Sequence, residues 1–250
     1  MSRALLQTEK LTKQFGGLAA VDGVDLGVET GTIHSLIGPN AAGKTTLFNL
    51  ITGELPPTAG RVRFNDQEIT GLPTHRIPHL GIGRCFQRSN IFPMLSAFEN
   101  VWVAAYSRST PGALRFLRRR QDFPEISARV AETLAQVGLL EKGQQKAGQL
   151  SHGQQRALEV AITLAISPTL LLLDEPTQGL SPEATQQMMG LIQGLGDRYT
   201  ILLIEHKMHV VFAISDRISV MHFGKLIAEG RPVEIQRNEL VQRAYLGGRR

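Results

Sequence analysis

A single cysteine, Cys85, stands in a chain of 250 residues. No disulfide can form within it, and a reducing compartment is expected. Cys85 itself reads as a small buried apolar residue. No apolar run approaches the roughly 20 residues that a membrane helix needs. The longest, Ala161 to Leu173, is broken by Ser167 and Pro168. Met1 to Gln7 carry no long apolar stretch and do not read as a signal peptide. Internal repeats, low-complexity segments and sustained heptads are also lacking. Neither sign of charge dominates: 27 Lys and Arg against 22 Asp and Glu leave +5. That excess is too small to choose among nucleic acid, an acidic membrane surface and nucleotides as partners. What remains is enough for a fold. Hydrophobic residues at 42% supply a sizeable core, and 20% charged residues argue against wholesale disorder. The length suits one domain with an insertion, or two small domains. A soluble chain, still able to dock on a membrane protein, is the expectation.

The hydrophobic pattern changes twice along the chain. Val21 to Val28 places apolar residues in rough alternation, and Thr32 to Ile37 is a second strand-like run ending at Gly38. Thr45 to Thr52 turns helical through Leu47, Leu50 and Ile51, with Gly53 as a stop. Beyond a Pro56–Gly60 turn, Val62 and Phe64 alternate in a further strand. From about Ser89 to Leu150 the pattern is mainly helical, clearest over Ala97 to Tyr106 and Ile126 to Val137. The α/β texture then returns. Leu170 to Leu173 is a short apolar strand suited to a sheet buried on both faces. Ser181-Pro182-Glu183 starts a helix with a capping serine, a first-turn proline and an acid. Ala184, Met188, Leu191 and Leu195 form its stripe, with Met188 expected in the core. Tyr199 to Ile204 is another buried strand. Strand alternating with helix predicts a parallel sheet.

Three motifs carry chemistry. Gly38-Pro39-Asn40-Ala41-Ala42-Gly43-Lys44-Thr45-Thr46 fits G-x-x-x-x-G-K-[ST] between a strand and a helix, the context that pattern requires. Backbone N–H groups there cradle phosphates, helped by the positive helix end. Lys44 is expected at the β- and γ-phosphates, and the Thr45 hydroxyl on Mg²⁺. Leu170 to Leu173 delivers Asp174 and Glu175 to the sheet's C-terminal edge, where open α/β sheets bind ligands. Asp174 would orient Mg²⁺, and Glu175 would act as general base toward water. Alone, such a pair is an ordinary capped strand end. Between these motifs lies Leu150-Ser151-His152-Gly153-Gln154-Gln155 at a helix start, a simple serine cap or a second anion site.

Together, in the order phosphate loop, Leu150 to Gln154, Leu173-Asp174-Glu175 and His206, the chain resembles the ATP-binding cassette (ABC) ATPases over essentially its whole length. The resemblance implies an α/β P-loop NTPase fold: an ABC ATPase core with a parallel sheet, an N-terminal antiparallel β subdomain and an inserted α-helical subdomain. Residues 1–87 and 156–250 would form the core, and 88–155 the helical part with the signature motif. It implies that Phe15 stacks on adenine, where a core phenylalanine is the local alternative. It implies that Gln87 senses Mg²⁺ and the γ-phosphate, where an ordinary polar loop residue is the alternative. His206 would be the switch histidine on the γ-phosphate; judged alone, it reads as structural. ATP and Mg²⁺ are the implied ligands. Two cassettes, identical or related, would sandwich ATP, with Ser151, Gly153 and Gln154 of one capping nucleotide held by the other. Membrane permease subunits would take the mechanical output, with a periplasmic or extracellular binding protein engaged indirectly and no nucleic acid. The chain would then lie peripherally on the cytoplasmic side of the cell membrane.

Several segments resemble one branch, the ATPase subunits of branched-chain amino acid importers: Phe15 to Leu18, Gly81 to Gln87, Asn90 to Pro93, Phe98 to Val101, Leu202 to Met208 and Ala244 to Gly247. Departures from the family pattern are Ala41 for glycine, His152 for the first signature glycine, Ser181 for aspartate and Lys207 for aspartate. If Ala41 needs a positive φ, it costs roughly 1 kcal/mol. Arg115, Arg118, Arg119 and Arg120 read as a solvated helical face, or as a patch for anionic headgroups. Urea and short-amide importers use closely similar ATPases. Exporter ATPases share the coupling surface, while soluble ABC ATPases on ribosomes or DNA usually carry two cassettes or long coiled coils.

Overall fold

The computed structural model describes residues 4–85, 91–109 and 122–246. Gln87 and the Arg115–Arg120 cluster lie outside the described residues. Two compact units are formed: residues 1–84, 169–175 and 192–250 in the first, 85–168 and 176–191 in the second. The second unit therefore takes in residues 156–168 and 176–191 besides the expected 88–155 span.

The first unit opens with two long strands, β1 (Ala4–Phe15) and β2 (Leu18–Glu29), followed by β3 (Ile33–Ile37) and helix α1 (Lys44–Ile51). Next come β4 (Ala59–Phe64), β5 (Gln67–Glu68), a short α2 (Ile77–Leu80) and β6 (Ile82–Cys85). The second unit carries α3 (Ala97–Ser109), α4 (Pro124–Gln136) and α5 (His152–Leu164). β7 (Leu170–Asp174) returns to the first unit, and α6 (Pro182–Gly196) begins in the second. The chain ends with β8 (Thr200–Ile204), α7 (Met208–Ile214), β9 (Arg217–His222), β10 (Lys225–Gly230), α8 (Pro232–Gln236) and α9 (Glu239–Leu246).

An antiparallel sheet has the order β2-β1-β4-β5, and a six-stranded sheet the order β10-β9-β3-β8-β7-β6. In the latter, β9, β3, β8 and β7 run parallel, and β10 is an antiparallel edge. The α/β P-loop fold expected from the sequence is the fold observed. Every residue of β3, β7 and β8 is buried, as expected for parallel strands covered on both faces. α1 is too short to persist alone. It is held by Leu47, Phe48, Leu50 and Ile51, which pack in one cluster with Leu6, Leu26, Val62, Leu172 and Ile204 from both sheets. A second cluster of Ile37, Val211, Ile218, Val220, Ile235 and Val241 covers the other face. Cys85 is buried, and burial pushes its thiol up to about 12. Met188 lies in the core.

His34, within β3, is wholly buried. Ser219 Oγ donates its one hydrogen to Glu229 Oε2 at 3.0 Å. The His34 Nε2–H must therefore donate to Ser219 Oγ at 2.8 Å, which leaves Nδ1 bare and without a partner among the described residues. Burial lowers the imidazole from 6.5 to about 4, against the pull of Glu229 and Glu29. Unfolded chain thus takes up a proton below about pH 6.5 that the fold refuses until about pH 4. Stability is full above that window and falls as pH drops through it, by about 3 kcal/mol in all. His34→Gln keeps a donor to Ser219 and removes the titration. Denaturant unfolding at pH 7 and pH 4.5 should show a smaller loss for the variant than for wild type.

Candidate nucleotide site

The site begins with sheet register. Leu36 pairs with Ile204, and Ile204 with Asp174. Three adjacent parallel strands therefore end in one row. The phosphate loop leaves β3, Glu205 and His206 leave β8, and Glu175 leaves β7, all at the C-terminal edge where open α/β sheets hold ligands.

Gly38 and Gly43 admit no side chain. A Cβ on Gly38 would strike the Met221 carbonyl oxygen, and one on Gly43, at φ 102°, the Ala20 carbonyl oxygen. Neighbouring backbone thus grips the loop on both sides. Gly224 N–H donates to Ala42 O at 3.0 Å, and Asp22 N–H to Gly224 O at 2.9 Å. α1 starts without a side-chain cap and with no acid in its first turn. Its first N–H groups are left for an anion, and no carboxylate competes for them. Ala41 sits at φ 63°, so alanine here does occupy the left-handed region that glycine prefers.

Lys44 curls back over the loop, and its Nζ donates to Gly38 O at 2.7 Å and Pro39 O at 3.0 Å. Burial lowers its pKa, opposed by the carboxylates of Glu175 and Asp174. The loop, with Ala19, Ala20, Glu175 and Phe223, lines a cavity of about 610 Å³, within the range of small-molecule sites. Thr45 is exposed on its wall. Phe15 closes β1 half-exposed, with Lys13 Nζ 5.3 Å from its ring centre.

Asp174 is buried, and desolvation raises its pKa against the pull of Arg84. Arg84 Nη2 lies 3.4 Å from Asp174 Oδ2, while Nη1 donates to Asn49, Thr52 and Glu54. Sequence reasoning gave Arg84 no role; the only signal was a basic residue near the end of another strand. Glu175 sits at φ 51°, and its N–H donates to Ile204 O at 2.9 Å. Its Oε1 is 3.8 Å from His206 Nδ1. The His206 ring is half-exposed, but its turn is fixed because the buried Glu205 carboxylate accepts from the His206 and Lys207 N–H groups at 3.0 and 3.3 Å. That role of Glu205 was also missed. Among the described residues no group of three or more His, Cys, Asp and Glu could hold a metal alone. A buried, desolvated Asp174 and an exposed Thr45 hydroxyl suit Mg²⁺, which is held by one or two carboxylates plus phosphates and water.

The second unit holds the other motif. Ser151 caps α5: its Oγ accepts the Gln154 N–H at 3.4 Å, and Gln154 Oε1 accepts the Ser151 N–H at 3.1 Å. A Cβ on Gly153 would come within 3.2 Å of Ala184 Cβ, and one on Gly179 within 3.1 Å of His152 Cε1. His152 thus packs at the loop before α6.

A strand, a glycine loop gripped by backbone and an uncapped helix, with a carboxylate pair in the same row, define a P-loop nucleotide-binding protein. The ABC transporter family model matches residues 21–178, and the branched-chain amino acid ATP-binding cassette transporter model residues 225–250. The chain is 43% identical, over 99% of both chains, to the high-affinity branched-chain amino acid transport ATP-binding protein BraF of Pseudomonas aeruginosa. It is similar to the ADP conformation of MJ1267, an ATP-binding cassette of an ABC transporter, with a TM-score of 0.87 and 30% identity over 98% of this chain and 100% of that one. The dimeric bacterial ABC transporter cassette MJ0796 is similar with a TM-score of 0.76 and 27% identity, over 91% and 98%. The chain belongs to the ABC transporter family. It is an ATP-binding cassette that binds and hydrolyses ATP.

Two outcomes follow from the geometry. Ala41→Gly relieves the left-handed alanine and should raise unfolding stability by about 1 kcal/mol in urea, with ATP binding kept. Arg84→Gln leaves the buried Asp174 carboxylate unpaired and should cost about 3–5 kcal/mol in the same measurement.

Proposed function

We propose that this chain is the ATP-hydrolysing subunit of an importer for branched-chain amino acids. The observation that carries the reading is full-length similarity to BraF, joined to the separate C-terminal match at residues 225–250. No helix among the described residues is long and apolar enough to cross a membrane. In this reading, which rests on the similarity to transport ATP-binding proteins, the chain works peripherally on the cytoplasmic face of membrane permease subunits, and a separate binding protein outside the membrane selects the substrate.

In this reading backbone N–H groups of the loop running from Gly38 to Thr46, those at the start of α1 above all, hold the phosphates. Lys44 gives up its two loop carbonyls for the β- and γ-phosphate oxygens, an exchange favoured by its desolvation. Phe15 stacks on adenine. Thr45, Asp174 and Gln87 would hold Mg²⁺, which would supply charge neutralisation to the phosphates. Glu175 accepts a proton from water as its oxygen bonds to the γ-phosphorus, and the bond to the β–γ bridging oxygen breaks to release ADP. His206, beside Glu175, contacts the γ-phosphate and reports its presence. Ser151, Gly153 and Gln154 of a second cassette, identical or related, close over the nucleotide; the similarity to a dimeric cassette supports this.

Glu175→Gln should bind ATP as wild type does and lose about 10²-fold or more in turnover, read by phosphate release. In cells lacking the chain, uptake of labelled leucine should be restored by wild type and not by the variant. Normal leucine uptake without the chain would sink the substrate assignment.

A further inference from the structure

The turn between β9 and β10 contains a residue that the fold does not explain. His222 pairs with Lys225, so Phe223 and Gly224 form a two-residue hairpin loop. Both have positive φ, 45° and 79°, the arrangement of a type I′ turn, for which Asn-Gly is the preferred pair. A second two-residue loop with both φ positive, joining Phe64 to Gln67, uses the small polar residues Asn65 and Asp66 at φ 49° and 63°. A bulky aromatic at positive φ is an outlier that the turn itself does not ask for.

Burial does not account for it either. Phe223 is 79% exposed, the most exposed of the large hydrophobic side chains among the described residues. Its ring leans on His222, with centres 4.2 Å apart, and joins neither core cluster. Its position is nonetheless fixed. Gly224 N–H donates to Ala42 O of the phosphate loop, and Gly224 O accepts from Asp22. A Cβ on Gly224 would come within 3.1 Å of both the Ala19 and Ala20 carbonyl oxygens. The loop is thus pressed against the phosphate loop and the start of β2, and Phe223 lines the same 610 Å³ cavity as Lys44, Thr45 and Glu175. Phe15 is not on that wall.

Two other non-glycine residues at positive φ, Ala41 and Glu175, also line this cavity. Strained backbone collects where a ligand is held. An exposed aromatic face offers a ribose or a base apolar contact that phosphate-binding groups cannot supply. We propose that Phe223 is a nucleotide-contact residue, whose ring forms the apolar wall against which the ribose and adenine of ATP rest. The inference relies on this cavity being the ATP site.

Its test compares equilibrium binding of ATP and of inorganic tripolyphosphate to wild type, Phe223→Asn and Phe223→Tyr. Asparagine suits the turn and removes the ring; tyrosine keeps the ring. Phe223→Asn should weaken ATP binding about five- to tenfold and leave tripolyphosphate unchanged, and Phe223→Tyr should restore ATP binding. An unchanged ratio of the two affinities in Phe223→Asn overturns the proposal, whether both ligands bind normally or both weaken together. Should wild type bind neither ligand, the reading of the cavity itself fails, a result distinct from the loss of one contact.

Discussion

A phosphate loop works because several backbone N–H groups stay aimed at one point without an anion to gather them. In this chain that aim depends on backbone packed against backbone. The Met221 carbonyl closes on Gly38 from β9, and the Ala20 carbonyl closes on Gly43 from β2. Between them Gly224 donates to Ala42. The loop is thus wedged between the central sheet and the antiparallel sheet, and neither sheet alone could hold it. This accounts for a shared core in which α1 packs against residues of both. It also makes two glycines indispensable for space, whereas Ala41, where a side chain points to solvent, carries only the cost of its left-handed backbone.

Asp174 and Lys44 show the second constraint. Each is buried, and each is pushed toward its neutral form by desolvation and back toward its charged form by neighbours of opposite sign. The neighbour for Asp174 is Arg84, which is itself spread over Asn49, Thr52 and Glu54. Removing water from a carboxylate strengthens its attraction for a cation. A bridging Arg84 keeps that carboxylate from being stranded when no cation is present. Arg84 therefore stabilises the buried carboxylate of Asp174 in the folded chain.

Much of this could be read in the sequence where one local pattern sufficed. β7 and β8 are mostly apolar runs, β3 leads directly into a glycine, and the phosphate loop is a contiguous motif. α4 shows its helical stripe over Ile126, Val130 and Leu134. β1 was not legible, because register shifts near Thr8, Leu11 and Lys13 interrupt the alternation on which strand recognition relies. β9 mixes Ser219 and Met221 into a short run, and its burial is set by partners far away in sequence. Arg84 and Glu205 were missed for the same kind of reason. Arg84 meets Asp174 across 90 residues, and Glu205 acts on N–H groups that no composition reveals. Ala41 lies between these cases: its cost was conditional on a dihedral angle, and only the fold supplies that angle.

Strain gives the site its outline. Ala41, Glu175 and Phe223 belong to three different connections, yet all three take positive φ and line one cavity. Glu175 follows directly on a buried strand. An extended backbone there would continue the alternation of β7, and the left-handed turn instead ends the strand with Glu175 on the cavity wall, beside His206. Ala41 does the equivalent for the loop, reversing the chain so that the Ala42 N–H donates back to Pro39 O at 3.2 Å. For these two the gain is geometric and local. Phe223 differs, because asparagine would make the same turn with less strain. A residue that costs folding energy and buries little of its own surface is best explained by contact with something outside the chain, and the wall on which it stands belongs to the phosphate loop.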